Sequence, residues 1–339
     1  RYSIDEHRIY GAGFSGGVLV AWYLAQLAEA PTLAGILSAG GRPAGEIPVS
    51  RIDFAHFGTA GVFDFNYQPM KALDVTAAQR GADHQLQFFR GRHQWMPETL
   101  AYEGIDWMEI LAMRDQLREA DVSFLNRTYQ AYLQRADSLE ASGQELQALR
   151  RYELMAASWK DIRDLRALHK RIQRLRSSET VRQQRQREQA ADRWELDKQQ
   201  EFLPPLLALE EGNNELEWQE LVDALRLDEV QERARSASLE GEAAQRILEW
   251  TFARTSFYIH RQLLAMNKPS QAAVSLQIAA FIHPHLSYVW YNLACAHALA
   301  GDLDHANRAL GKCIDSGFDN LPRLQSDPDL ASLRDTNDY

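Results

Sequence analysis

The sequence predicts a mixed fold, in which a parallel α/β sheet over residues 1–118 is followed by an all-α region over residues 119–339. In the first part, short apolar runs end in glycine and alternate with amphipathic helical segments, as expected for parallel strands. From about Ala120 onwards this strand-like pattern disappears, and Leu, Ala, Glu, Gln and Arg, which favour helices, dominate. A length of 339 residues also suggests about two domains.

The first element is a short strand that runs through Gly13-Phe14-Ser15-Gly16-Gly17 directly into helix-forming sequence, Val18 to Gln26. A G-x-S-x-G turn between a strand and a helix is typical of a nucleophile elbow, where the tight turn requires small residues around the serine. The serine Oγ then lies at a helix N-terminus, where backbone N–H groups stabilise an oxyanion. We therefore expect Ser15 to be a nucleophile and the Gly16 N–H to be an oxyanion donor.

Three further apolar runs predict the next strands, at Leu33 to Ala39, Ile52 to Phe57 and Leu86 to Phe89. Amphipathic patterns predict helices after the second and third runs, at Pro69 to Arg80 and Glu98 to Arg118. Asp64 and His93 each follow one of these strands, and open parallel sheets place their sites at the carboxyl ends of strands. The order Ser15, Asp64, His93 along the chain fits a triad in which Asp64 orients His93 and His93 acts as the base.

Other residues of the same types are less well placed for this role. By itself His93 is also compatible with an ordinary loop histidine. The alternative histidines precede, open or lie within strands, and the alternative acids lie at the opposite end of a strand or inside a helix; these residues are His7, His56, His84, Asp53, Asp83 and Asp74. Asp64 and His93 therefore remain the preferred acid and base.

The runs Tyr10 to Gly17, Asp64-Phe65-Asn66 and His93-Gln94-Trp95 resemble bacterial α/β-hydrolase-fold esterases of the polyhydroxybutyrate-depolymerase and feruloyl-esterase-like group. The resemblance covers about the first third of the chain and implies a catalytic triad acting on a small-molecule ester. It also implies that residues 1–118 are the C-terminal part of a hydrolase sheet, without its N-terminal strands and second oxyanion donor. A short insertion after Thr59 departs from the usual Gly-x-x-Asp spacing of that family.

A recurrence of 34 residues occurs near the end of the chain, where Ala272, Leu276 and Ala279 are matched by Ala306, Leu310 and Cys313. Tyr129 to Ile162 fits a further unit of the same kind. This pattern resembles tetratricopeptide repeats, in which small residues allow paired helices to approach and large ones fill the gaps. The resemblance implies a surface for a protein or peptide partner. An ordinary helical bundle is the alternative.

A long basic helix is expected near 160–200, with its charge concentrated over Lys170 to Arg187. Such a helix is either a solvated helix or linker, or a surface that binds nucleic acid or an acidic partner. We favour the solvated helix or linker and expect no nucleic-acid partner, because no aromatic residues are interleaved with the basic ones and the net charge is −10. No run of about 18 apolar residues is present, so we also expect no membrane segment.

The sequence indicates no cofactor and no metal site, because His283 and His285 flank Pro284 without further ligands nearby. Cys295 and Cys313 are expected to be small core residues, and they leave cytoplasm and periplasm equally open. The function expected from the sequence is that of a serine hydrolase cleaving carboxylic esters, with a helical module for protein interaction. A non-catalytic binding or scaffold protein with a degenerate hydrolase fold is the alternative.

Overall fold

A computed structural model describes residues 4–27, 33–43 and 52–334. It contains a four-stranded parallel sheet in the N-terminal region, followed by a mostly helical region, which confirms the mixed fold class. The chain divides into two compact units, residues 1–192 and residues 193–339. The sequence boundary expected after residue 118 lies inside the first unit. None of the described helices has the length and apolar character needed to cross a membrane.

The sheet has the strand order β1-β2-β3-β4, and each neighbouring pair is parallel. Its strands are β1 (Ile9–Phe14), β2 (Leu33–Ala39), β3 (Ala55–Gly61) and β4 (His84–Phe89). Strand β3 begins and ends later than the apolar run at Ile52 to Phe57 predicts. The small residues after Phe57 still pair with β4, and Gly61 lies opposite Phe89. Because glycine is depleted in strands, the apolar pattern predicts an end that is too early.

Helices cover both faces of the sheet, which explains why β2 reads as an almost continuous apolar run. On one face, α1 (Gly16–Gln26) and α2 (Tyr67–Gln79) pack in a cluster that includes Trp22 and Ile36. On the other face, α3 (Glu98–Arg114) packs in a cluster that includes Trp107 and Leu37. Ile36 and Leu37 are successive residues of β2 and point to opposite faces, as the pleat requires.

The remaining part of the first unit is helical and has its own apolar cluster around Tyr152 and Trp159. Its helices are α4 (Val122–Ala141), α5 (Glu145–Ser158), α6 (Arg166–Arg176) and the first part of α7 (Glu179–Glu210). The basic run expected as one helix is therefore divided between α6 and α7. Arg176 Nε donates to Glu153 Oε1 over 2.7 Å, so part of this positive charge is paired within the unit.

The second unit begins within α7 and consists of helices around a large apolar core that includes Ile247, Leu276 and Leu310. Its further helices are α8 (Trp218–Ala224), α9 (Leu227–Ala234), α10 (Leu239–Ala253), α11 (His260–Ala265), α12 (Pro269–Ile282), α13 (Ser287–Leu299), α14 (Leu303–Asp315), α15 (Leu321–Ser326) and α16 (Ala331–Arg334). A π-helical turn, Arg254–Ile259, joins α10 to α11, and a 3-10 turn, Pro328–Leu330, precedes α16.

The residues of the 34-residue recurrence lie on α12 and α14, and all of them are completely buried except Leu310, which is 7% exposed. Helix α13 lies between these two helices in the chain. Burial of alanine at matching positions allows close helix approach, which both a repeat and an ordinary bundle use. These positions therefore do not distinguish a repeat from a bundle.

Candidate active site

The carboxyl ends of three strands bring the residues expected as a triad together. Ser15 directly follows β1, Asp64 follows β3 and His93 follows β4. His93 Nε2 lies 2.9 Å from Ser15 Oγ, and His93 Nδ1 lies 3.0 Å from Asp64 Oδ1 and 3.1 Å from Oδ2. These are hydrogen-bond distances on both sides of one imidazole ring. Ser15 is 78 positions and Asp64 is 29 positions from His93 in the chain, yet the three side chains form one continuous Ser–His–Asp series.

Ser15 has the strained backbone of a residue held at a sharp turn. Its φ of 53° and ψ of −121° are unusual for a residue with a side chain. The turn is fixed because Ser15 N donates to Ala39 O over 2.9 Å, while Ser15 O accepts from Val18 N over 3.0 Å. A Cβ on Gly13 would lie 2.5 Å from the Gly17 backbone. The glycine before the serine is therefore required by close approach of the strand to the helix.

Asp64 is completely buried, and its carboxylate is held from several directions. In addition to its contact with His93, Asp64 Oδ1 accepts a hydrogen bond of 2.8 Å from Asn66 N. The Asn66 side chain in turn donates from Nδ2 to Gly40 O over 2.7 Å. Gly40 has a φ of +55°, and a Cβ there would lie 2.6 Å from Asp64 Oδ2. The end of β2 is thus shaped to admit the carboxylate.

Aromatic side chains surround His93 while leaving it partly accessible. The ring centroids of Phe14 and Phe65 lie 4.7 Å and 4.3 Å from that of His93. Trp95 lies 5.7 Å from Phe14 and is 53% exposed. The His93 side chain is 23% exposed, in contrast to the sealed Asp64. Solvent can therefore reach His93, whereas the Asp64 side chain is closed off from solvent.

Gly16 is the first residue of α1 and follows Ser15 directly. The N–H groups in the first turn of a helix have no acceptor within the helix, and they carry the positive end of the helix dipole. The Gly16 N–H therefore lies in the same turn as Ser15. An oxyanion donor for Ser15 would need this position.

The structure places the alternative histidines and acids in other environments. His56 is buried, its Nε2 lies 3.0 Å from Ser38 Oγ, and burial, with a smaller effect from His84, lowers its pKa to about 3. His84 Nε2 lies 3.6 Å from Asp74 Oδ1. Asp83 accepts a hydrogen bond of 2.9 Å from Arg114 Nη1. Each of these four side chains, His56, His84, Asp74 and Asp83, thus has a partner other than Ser15.

Sequence reasoning does not identify two positioning residues, Asn66 and Gly40. An asparagine two residues after an acid and directly before a helix is a common capping and turn residue, so a local signal for Asn66 exists. Gly40 reads only as the end of a strand. Its importance comes from Asp64, which follows the neighbouring β3. Asp64 is distant from Gly40 in the chain, so the residues around Gly40 do not indicate this role.

A second group of polar side chains, unexpected from the sequence, lies near the C-terminus. Cys295, Asp327 and Asp329 each place a potential metal-ligand atom within 4.8 Å of the others. Asp327 Oδ1 accepts from Asp329 N over 3.0 Å at the start of the 3-10 turn, and Asp327 Oδ2 accepts from the Tyr291 hydroxyl. Burial and then the nearby Asp327 raise the pKa of Cys295 to about 12, which keeps the thiol protonated. The position of Asp327 in this cluster is thus explained by the hydrogen bond with which it caps the 3-10 turn.

Comparisons with protein-family models, with the curated proteins and with the solved structures find no match. The described residues form a four-stranded sheet rather than the eight-stranded sheet of an α/β-hydrolase. The resemblance to α/β-hydrolase esterases fused to tetratricopeptide repeats is therefore wrong, and so is the interpretation of residues 1–118 as part of such a sheet. The physical reason is that a strand–turn–helix motif is local and does not specify how many strands accompany it.

Proposed function

We propose that the first unit is a serine hydrolase that uses Ser15, His93 and Asp64. The observation that supports this proposal is the series of hydrogen-bond distances from Ser15 Oγ through His93 to the buried Asp64 carboxylate. A serine is a weak nucleophile by itself and needs an adjacent base, which in turn needs an orienting group. The three residues have the relative positions that these roles require.

In the first half of the proposed reaction, His93 Nε2 accepts the proton of Ser15 Oγ while this oxygen attacks an acyl carbonyl carbon. The carbonyl oxygen becomes an oxyanion, which the Gly16 N–H stabilises. Asp64 accepts the Nδ1–H hydrogen bond, which fixes the neutral tautomer with a free lone pair on Nε2. Its negative charge also stabilises the imidazolium that forms.

In the second half, the imidazolium donates its Nε2 proton to the leaving oxygen, and the carbonyl–oxygen bond breaks to leave an acyl group on Ser15. A water molecule then enters, and its oxygen attacks the acyl carbon while His93 Nε2 accepts its proton. The tetrahedral intermediate then breaks its bond to Ser15 Oγ, which takes the proton back from His93, and the carboxylic acid is released. We place carboxylic esters first among the substrates, because an alcohol is a better leaving group than an amine and requires less proton transfer before the bond breaks.

A fluorophosphonate probe tests this proposal, because it reacts covalently with activated serines. We expect the parent chain to be labelled and Ser15→Ala and His93→Ala to be unlabelled. Hydrolysis of p-nitrophenyl acetate should fall by at least about a thousandfold in both variants, and Asp64→Asn should lose roughly ten thousandfold through the wrong imidazole tautomer.

Exposed residues in the helical part of the same unit provide matched controls. Ser177→Ala and His169→Ala remove the same side chains at exposed positions and should retain labelling and hydrolysis. Labelling that persists in Ser15→Ala would contradict the assignment of the nucleophile. A parent chain that is neither labelled nor active would contradict the enzymatic proposal and favour the alternative of a non-catalytic binding protein.

A further inference from the structure

A groove of about 440 Å³ in the second unit combines aromatic and basic side chains. We call it the α14 groove, since α14 supplies its basic residues. Its lining includes Trp218, Phe281, Trp290, His305, Arg308 and Lys312. The volume lies within the range of about 300–1,000 Å³ that is typical of ligand sites.

The charge of this groove is opposite to that of the chain. The described lining includes Arg308 and Lys312 but no aspartate or glutamate, although the whole chain has a net charge of −10. Both cations are exposed, and neither forms an ion pair with any residue that the structure describes. The Lys312 ammonium lies 4.4 Å from the centroid of the Trp290 ring, a cation–π contact that places the charge at the groove. An anionic ligand would therefore be complementary to this wall.

The basic residues follow one line along α14. His305, Arg308 and Lys312 are spaced at i, i+3 and i+7, which places them on one face of the helix. With a rise of about 1.5 Å per residue, Arg308 and Lys312 are about 6 Å apart along the helix axis. Alternate residues of an extended peptide are separated by about 6.6 Å. Two carboxylates on alternate residues of one peptide therefore match the spacing of the two cations.

The aromatic residues come from other helices than the cations. Trp218 lies at the start of α8 and Phe281 near the end of α12, and their ring centroids are 6.4 Å apart. Both rings are only partly buried in the core of the unit. Side chains on an extended chain alternate between two sides, so acidic residues can face α14 while the residues between them contact these rings.

We propose that the α14 groove binds an acidic peptide in an extended conformation. Carboxylates on alternate residues pair with Arg308 and Lys312, and the apolar residues between them contact Trp218 and Phe281. Asp302 supports this arrangement from outside the lining, because it accepts from His305 Nδ1 over 2.9 Å and so orients that ring. The proposal is independent of the reaction assigned to Ser15.

Fluorescence polarisation of a labelled peptide tests the proposal with the full chain. The probe is a fluorescein-labelled octapeptide of alternating glutamate and leucine, and the control is the same peptide with lysine in place of glutamate. We expect saturable binding of the glutamate peptide alone, weakened by added salt. The double charge reversal Arg308→Glu/Lys312→Glu should weaken it at least about tenfold, since each charge-assisted hydrogen bond contributes strongly.

Arg261→Glu is the matched control, because Arg261 is exposed in the same unit and is not part of the lining. It should bind like the parent chain, and circular dichroism should show all variants folded. The doubly reversed variant should also gain affinity for the lysine peptide. Binding that is absent in the parent, or unchanged in the double variant, would overturn the proposal. So would stronger competition by single-stranded oligothymidine, or self-association of the chain that blocks the peptide.

Discussion

Each of the two units contains a buried carboxylate with a basic partner, but the surroundings of the two pairs differ. In the first unit Asp64 contacts His93, which is partly exposed and also contacts Ser15. In the second unit Glu195 Oε2 accepts from Arg246 Nε over 2.7 Å, and both side chains are buried. A guanidinium keeps its proton in proteins, whereas an imidazole exchanges it near neutral pH.

The comparison shows that a buried carboxylate with a basic partner does not by itself make a site. In the first unit, His93 also contacts the Ser15 hydroxyl and is partly exposed to solvent, as the proposed proton transfer from Ser15 requires. The Glu195–Arg246 pair in the second unit is buried on both sides, so we expect it to affect the free energy of unfolding. Replacing one partner should therefore affect different measurements in the two units.

The largest effect on stability is expected for Arg246→Met. The Glu195 carboxylate would remain buried without the guanidinium, which should lower the free energy of unfolding by about 3–5 kcal/mol. Arg235→Met is the control, since Arg235 pairs with Glu232 on the surface and should cost less than about 1 kcal/mol. Urea unfolding measures both. Equal losses in the two variants would show that the Glu195–Arg246 pair is no more important than a surface pair.

A smaller effect on stability, with a large effect on activity, is expected for Gly40→Ala. The new Cβ would lie 2.6 Å from Asp64 Oδ2 at a backbone φ of +55°, so the carboxylate must shift. We expect a loss of about 1–3 kcal/mol in stability and of about a hundredfold in esterase activity.

Gly81→Ala separates the two expected causes of the Gly40→Ala effects, which are backbone strain and contact of the new Cβ with Asp64. Gly81 also has a positive φ, of +68°, but no atom lies within 4 Å of a Cβ built there. It should lose stability through backbone strain and retain activity. If both variants lose the same fraction of activity, contact with Asp64 is not the reason for the loss.

The smallest effect, about 1.4 kcal/mol per pH unit, is expected from the buried His56 in the sheet. Burial lowers its pKa from 6.5 to about 3, so below pH 6.5 the unfolded chain binds a proton that the folded chain does not bind. The stability that His56 contributes is therefore complete above pH 6.5 and is lost as the pH falls towards 3.

Urea unfolding of the parent chain and of His56→Gln between pH 7 and pH 5 measures this effect. The variant should show a shallower decrease in stability over this range, whereas His169→Gln, at an exposed position, should keep the slope of the parent. Parallel curves for the parent and His56→Gln would show that another group controls the pH dependence of the first unit.

Local patterns are sufficient to predict several features of the fold. The apolar run at Leu33 to Ala39 matches β2, and the glycines around Ser15 indicate a tight turn between a strand and a helix. Ser15, Asp64 and His93 each follow a predicted strand, which predicts that they lie at one edge of the sheet. The predicted end of β3 is wrong, because Gly58, Ala60 and Gly61 have weak strand propensity and gain their structure from pairing with β4.

By itself, then, the sequence determined the mixed fold class and where each candidate catalytic residue lies relative to its strand, because side-chain periodicity and turn chemistry act over a few residues. Only the tertiary structure decided that β3 extends to Gly61, that Asn66 N donates to Asp64 and that Gly40 leaves room for this carboxylate. It also decided that Cys295 lies beside Asp327. These features depend on contacts between residues far apart in the chain, and such contacts leave no signal in the spacing of neighbouring residues.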